Sequence, residues 1–207
     1  MGHYDLFSTF YDASTESHYV EQRPLAVEAL DLASGLAVLD LPCGTGQAFD
    51  GIAPAILPGG ALVGVDFSSG MLGKATKRAQ KHGWDHAVLL QGDARTVSPT
   101  DLAAAGGPEA VDRLHVFLGM TAFPDWRDAF TNLWALLKPG GRCVIVDVHT
   151  EKLSFQGRLV NWTAKADITR PFWEPLEAVA ENYERREIPS KPAHGGSMYL
   201  ATGTKPA

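Results

Sequence analysis

The chain has too little of several things to belong to the classes they mark. It has two cysteines, Cys43 and Cys143, in 207 residues. That excludes a disulfide framework and a four-cysteine zinc site. It has no apolar run near the ~18 residues needed to cross a bilayer. It has no cluster of Lys and Arg, and acids outnumber bases 24 to 18, giving a formal net charge of −6. A surface of that sign repels phosphate backbones, so no nucleic-acid partner is expected. Its N-terminus, Met1-Gly2-His3-Tyr4-Asp5-Leu6, lacks the basic segment and apolar run of a secretory signal. Leu6 also stands where a myristoylation site wants Ser or Thr. The expected location is the cytoplasm. Repeats and low-complexity tracts are absent as well.

What is present is ordinary globular composition, 45% hydrophobic and 20% charged, in a length suited to one domain with a real core. Phe7, Phe10 and Tyr11 fall at helical spacing within an aromatic and acidic segment, 1–18. A helix stripe runs through Leu25, Ala26, Ala29 and Leu30, with Pro24 in its first turn and Gly35 beyond it. Strands are expected at Ala37–Leu41, Ala61–Val65, Ala87–Gln91, Arg113–Phe117 and Cys143–Val148. Helices are expected at Gln47–Ile56, Met71–His82, Leu102–Ala105 and Trp126–Leu137, the last capped by Asp125. Lys138-Pro139-Gly140-Gly141 reads as a turn. The stretch 150–170 has no clear pattern, and Pro171–Ala180 reads as helix with Pro175 as an objection. Two late strands, Tyr183–Ile188 and Met198–Thr204, are close enough to pair antiparallel.

Strand alternating with helix from 37 to 148 predicts a parallel sheet with helices on both faces, an α/β three-layer sandwich. In such sheets ligands sit outside the carboxyl ends of the strands. At the first end, Asp40-Leu41-Pro42-Cys43-Gly44-Thr45-Gly46, two glycines allow a tight turn and close approach of a ligand. A dinucleotide fingerprint would continue to a small residue, and Phe49 stands there instead; a phosphate-binding Gly-Lys-Ser/Thr is missing too. At the second end, Asp66 is placed to accept ribose hydroxyls, with a helix cap as the plainer role, and Phe67 offers a flat face to a base. At the third, Gly92-Asp93-Ala94, a carboxylate could read an amino group, or simply be a solvated turn residue.

Taken in order, Asp40-x-x-x-Gly44-Thr45-Gly46, Gly64-Val65-Asp66, Gly92-Asp93-Ala94 and Leu137-Lys138-Pro139-Gly140-Gly141 resemble the motif series of class I S-adenosylmethionine-dependent methyltransferases. The resemblance covers residues 37–148. It implies a Rossmann-like sheet of seven strands in the order 3-2-1-4-5-7-6, strand 7 antiparallel. It implies S-adenosyl-L-methionine as cofactor and S-adenosyl-L-homocysteine as product. Gly44, Thr45 and Gly46 would line the methionine portion, supported by Asp40. Asp66 would take the ribose, and Phe67 and Met71 would pack on the adenine. Gly92, Asp93 and Ala94 would read its edge, and Phe117 and Leu118 would lie under the sulfonium. Pro42 departs from the glycine usual in the family.

The acceptor is less legible. Phe117-Leu118-Gly119-Met120-Thr121 lacks the Asn/Asp-Pro-Pro-aromatic motif of amine-methylating members of this fold. The aromatics outside the motif series suggest an apolar acceptor pocket, with Tyr11, Tyr19 and Trp162 as its candidates, although covering helices pack their aromatics too. Short patches are similar to small methyltransferases of quinone, phospholipid and thiol acceptors. If a proton must be removed, His149 is the best-placed base, ahead of His18, His115 and His194, each of which also has a structural reading. The layout expected is one domain, with a helical cover (1–35), a cofactor core (36–148) and an acceptor-side segment with the last strands (149–207). A small-molecule acceptor, no metal, and a monomer or homodimer complete the expectation. Two alternatives stay open: a quinone or phospholipid methyltransferase at a membrane surface, and a non-catalytic cofactor-binding subunit.

Overall fold

In a computed structural model, which describes residues 19–207, the chain builds one sheet of seven strands. In chain order the elements are α1 (Gln22–Ala29), β1 (Ala37–Asp40), α2 (Phe49–Ala55), β2 (Ala61–Asp66), α3 (Ser69–His82), β3 (Ala87–Gln91) and α4 (Pro99–Ala104). They continue with β4 (Val111–Phe117), α5 (Trp126–Leu136), β5 (Leu137–His149), α6 (Phe155–Ala164), α7 (Glu174–Val179), β6 (Glu181–Ile188) and β7 (Ser197–Thr204). The sheet order is β3-β2-β1-β4-β5-β7-β6, with β7 antiparallel to both neighbours and the β1–β5 pairs parallel. This is the topology that the motif series implied.

The central strands are short apolar runs because both of their faces are covered. Leu39, Val63, Leu114 and Ile145 point to one face, where they meet Leu102 of α4, Phe130 and Leu133 of α5 and Leu176 of α7. Val38, Leu62, Val144 and Val146 point to the other, where they meet Ala26 of α1, Phe49 and Ile52 of α2 and Leu72 and Ala75 of α3. Helix ends follow local chemistry. The Ser68 side chain accepts from Met71 N at the start of α3, and Gly83 ends that helix at φ 67°. Ser98 and Asp101 form a reciprocal box at α4.

Two expectations are corrected and two open readings are resolved. Asp125 stands at the N-cap of α5 but makes no capping bond, because its carboxylate pairs with Arg95 at 2.7 Å. The Lys138–Gly141 turn is absorbed into β5, where Gly140 N donates to Lys205 O and Lys205 N to Gly141 O, both at 2.8 Å. Pro175 falls in the first turn of α7, where its missing N–H costs nothing. The patternless stretch 150–170 contains α6, started by Ser154 accepting from Gly157 N. No helix among the described residues is long and apolar enough to cross a membrane.

Candidate functional site

The sheet order reverses between β2-β1 and β4-β5, so a crevice opens at the carboxyl ends of β1 and β4. The loop after β1 forms its floor. Gly44 and Gly46 both have positive φ, 56° and 76°. They differ in surroundings. Nothing lies within 4 Å of a Cβ built on Gly44, so that position is an open cradle. A Cβ on Gly46 would lie 2.7 Å from Phe49 Cδ2, and one on Gly64 would lie 2.6 Å from Phe49 Cζ. The buried Phe49 ring, which argued against a dinucleotide fingerprint, therefore fills the space left by two glycines. Thr45 stays half-exposed between them.

Asp66, at the end of β2, ties this loop in place. Its Oδ2 accepts from Gly44 N and its Oδ1 from Ser68 N, both at 2.9 Å. Burial pushes its carboxyl up from the ordinary range, while those two N–H groups pull it down. Each oxygen keeps a further lone pair that can accept a hydroxyl. Phe67 follows at 64% exposure, and Met71 sits half-buried in the first turn of α3. Gly92 N donates to Asp66 O at 3.1 Å, joining the third strand end to the second.

Asp93 is not the free turn residue that its position suggests. Arg95 grips it, with Nη2–Oδ2 at 2.6 Å and Nε–Oδ1 at 3.0 Å, and reaches on to Asp125. That grip holds the Asp93 carboxyl below the usual carboxylate range. Ala94 is buried, and its carbonyl accepts from Asn132 Nδ2 at 3.0 Å.

Under the crevice, Asp40 and His115 sit side by side on β1 and β4, buried, with Oδ1 and Nδ1 2.7 Å apart. His115 is thus a partner of the loop's own aspartate. Cys43 is buried beside them. Desolvation, reinforced by Asp40 and Asp66, raises its thiol well above the ordinary value, which removes it as a nucleophile.

The far wall is the end of β4. Phe117 stacks over His115, with centroids 6.0 Å apart, and takes the edge of Tyr19 at 5.8 Å. Tyr19 in turn stacks on the buried His194 at 4.9 Å. Leu118 is held at φ 57°, a conformation that leucine rarely adopts, by its N–H to Val146 O at 2.8 Å. Below it, Asp147 accepts from Thr121 N at 2.9 Å and Thr121 Oγ1 at 2.7 Å.

The structure therefore brings Asp40, Gly44, Thr45, Gly46, Asp66, Phe67, Met71, Gly92, Asp93, Ala94, Phe117 and Leu118 to one rim, with Tyr19 against Phe117. It places Trp162 on the outward side of α6 at 76% exposure. The His149 ring lies against Trp173 and near Tyr199, with centroids 4.7 and 6.4 Å away, and its Nδ1 is 3.1 Å from Arg170 O. Tyr11 and His18 lie outside the described residues. Arg95, Thr121 and Asp147 were missed. Arg95 left a signal, two residues after Asp93; the Thr121–Asp147 contact spans 26 residues and left none. Among the described residues no group of three His, Cys, Asp or Glu could hold a metal ion.

Comparison with known proteins agrees with this geometry. The chain is 30% identical over 145 residues to "Demethylmenaquinone methyltransferase" of Lactiplantibacillus plantarum, which covers 70% of this chain and 57% of that protein. It is 30% identical over 145 residues to "2-phytyl-1,4-naphtoquinone methyltransferase" of Thermosynechococcus vestitus, covering 70% and 60%. The chain thus spans about 60% of the length of the curated relatives it matches. Among solved structures, it is similar in fold to phosphoethanolamine N-methyltransferase 2 of Haemonchus contortus in complex with S-adenosyl-L-methionine. The TM-score is 0.71 at 16% identity, over 91% of this chain and 53% of that one. A family model described as "Methyltransferase domain" matches residues 32–187, well over half of the chain and the whole of the rim just described. On that match, this chain belongs to the methyltransferase domain family.

Proposed function

We propose that the chain transfers a methyl group from S-adenosylmethionine to a small, partly apolar acceptor. The observation that carries this is the bridge from Asp66 to Gly44 N. It puts a carboxylate with spare lone pairs beside an open glycine cradle, as a ribose joined to a short polar chain requires. Gly44, Thr45 and Gly46 would hold the methionine portion and Asp66 the ribose hydroxyls. Phe67 and Met71 would cover the adenine, and Asp93 and Ala94 would read its edge. The bound group supplies a methyl activated on a sulfonium cation.

The chain's own part is alignment and electrostatics. The buried Asp40 favours a cation near the end of β4, where the Arg23 guanidinium already lies 5.3 Å from the Phe117 ring centre. Good alignment of donor and acceptor is worth roughly 7–11 kcal/mol of barrier. Where the acceptor carries a proton, His149 is the candidate base. The Arg170 carbonyl can only accept, so Nδ1 carries the proton of the neutral ring and Nε2 is the atom that would act as base. Calorimetry with S-adenosylmethionine and S-adenosylhomocysteine tests the cofactor assignment, and the absence of heat for both would defeat it.

A second reading narrows the acceptor to a quinone carrying an apolar tail. Two relatives named for quinone substrates support it, together with the aromatic wall of Tyr19 and Phe117. Incubation with a panel of demethylated quinones, phenols, amines and thiols, read by product mass, decides between this class and the others.

A further inference from the structure

Helix α6 carries its apolar residues on the wrong side for a helix that only covers a sheet. Its inward contact is Gly157, packed so tightly that a Cβ on Gly195 would lie 2.9 Å from Gly157 Cα, with Val160 and Ile168 alongside. Its outward side holds Phe155 at 85% exposure, Trp162 at 76% and Leu159 at 42%. At 3.6 residues per turn these three fall within about 60° of arc. Arg158 flanks the stripe, and Lys152 and Lys165 stand exposed at its ends. No Asp or Glu lies between Lys152 and Lys165, and Glu151 and Asp167 stand just outside them, in a chain whose net charge is −6.

Exposed large apolar side chains in one stripe mark an interaction surface. A stripe of three is narrow for a stable protein interface, which needs some 20–30 residues a side. Phe, Leu and Trp bordered by Lys and Arg is instead the composition of a helix lying in a bilayer interface. We infer that α6 docks on an anionic lipid surface. Phe155, Leu159 and Trp162 enter the boundary between headgroups and acyl chains, and Lys152 and Arg158 meet the lipid anions. The acidic remainder of the chain is repelled from the same surface, which sets the orientation. The α6 helix starts six residues after the end of β5, on the carboxyl rim of the sheet. The surface thus brings that rim towards acceptors dissolved in the bilayer. Only this last consequence rests on the methyl-transfer reading.

The test is co-sedimentation of the full chain with vesicles of phosphatidylcholine alone and of phosphatidylcholine with phosphatidylglycerol. Binding is expected to the anionic vesicles and to weaken at about 0.5 M salt, where the Debye length is only a few Å. Arg158→Gln and Lys152→Gln should each lower partitioning about fivefold. Phe155→Ser with Trp162→Ser should lower it at least about tenfold while leaving the lipid-free Tm unchanged. No binding to anionic vesicles, or binding indifferent to all four substitutions, overturns the inference. So does a fall in Tm of the Phe155→Ser, Trp162→Ser variant without lipid, because it would mean that the chain itself covers this face. Calorimetry with S-adenosylhomocysteine on the same preparations separates the two claims. Cofactor binding without vesicle binding defeats the lipid surface alone. Vesicle binding without cofactor binding defeats methyl transfer and leaves the lipid surface standing.

Discussion

Pro42 and Gly119 are fitted to each other across the crevice: a Cβ on Gly119 would lie 2.6 Å from Pro42 Cδ. The same Cβ would lie 2.7 Å from Phe123 Cζ. Pro42, where the loop after β1 departs from the expected glycine, thus leans on the turn that follows β4. Gly119→Ala should destabilise the fold by about 1–3 kcal/mol through overpacking. In a chain of this size that lowers Tm by several degrees, roughly 2–4 °C per kcal/mol. Pro42→Gly removes the nearest of the three crowding groups, leaving Phe123 Cζ at 2.7 Å and Val116 Cγ1 at 3.0 Å, so the alanine should cost less in that background. A thermodynamic cycle giving strictly additive effects would show that the two residues do not couple.

How much of this was legible follows from where each signal lies. The bounds of β3, Ala87–Gln91, were readable because a short apolar run between a turn and Gly92 is too short for a helix. The rim residues were readable because strand ends come in chain order and a parallel sheet gathers them on one side. The α6 helix was ambiguous because Phe155, Leu159 and Trp162 recur at helical spacing while Gly157, Val160, Asn161 and Thr163 among them are weak helix formers. The Asp125 cap failed because Arg95, thirty residues away in sequence, competes for the same carboxylate. The Asp93–Arg95 grip is local, two residues apart, and left a signal in the sequence; the Thr121–Asp147 bonds are tertiary facts, because spacing does not encode which distant carboxylates find partners.

Asp66→Ala should weaken both S-adenosylmethionine and S-adenosylhomocysteine. Hydrogen bonds to a charged group are worth about 1.5–3 kcal/mol, or roughly ten- to a hundredfold in affinity. The same change orphans Gly44 N and Ser68 N, so some loss of stability accompanies it. Asp66→Asn keeps an acceptor for one of those N–H groups and should bind with intermediate affinity. Affinities equal to wild type in the folded alanine variant, measured by calorimetry, would remove Asp66 from the ribose site.

Arg95→Gln releases Asp93 from its main partner. The Asp93 carboxyl should then titrate higher, back towards the ordinary range, in an NMR titration. Exposed ion pairs contribute little to stability, so Tm should barely change. If the grip presets Asp93 for the adenine edge, affinity for adenosine itself falls about three- to tenfold, as for one hydrogen bond left badly aligned. A lowered Asp93 pKa that survives the substitution would mean that the cause lies elsewhere.

His149→Phe keeps a ring against Trp173 and Tyr199 but removes Nε2. For an acceptor that must lose a proton, kcat should fall by about 10²–10⁴, with the affinity for S-adenosylhomocysteine unchanged. For a thiolate acceptor kcat should hold. Comparing a phenolic and a thiol acceptor on the same variant therefore tests the base assignment, and a kcat unchanged for both would assign the histidine to packing alone.

Asp147 makes stability depend on pH in the direction opposite to that of an ordinary paired carboxylate. Full burial pushes its carboxyl up to about 6, outweighing the N–H and O–H groups of Thr121 and the N–H groups of Val148 and Met120 that favour its charge. The unfolded chain titrates near 3.8. Between these values the folded state binds the proton more tightly, so the Asp147 contribution is fully present below about pH 3.8 and is lost as pH rises through about 6. A gap of roughly two units corresponds to about 3 kcal/mol. Asp147→Asn removes the titration, though its amide nitrogen must face N–H donors and so costs stability at every pH. The difference in unfolding free energy, wild type minus variant, should therefore shrink as urea melts move from pH 4 to pH 7. A difference that stays flat or grows over that range would mean that the carboxylate is charged in the folded protein throughout, and that its four donors outweigh its burial.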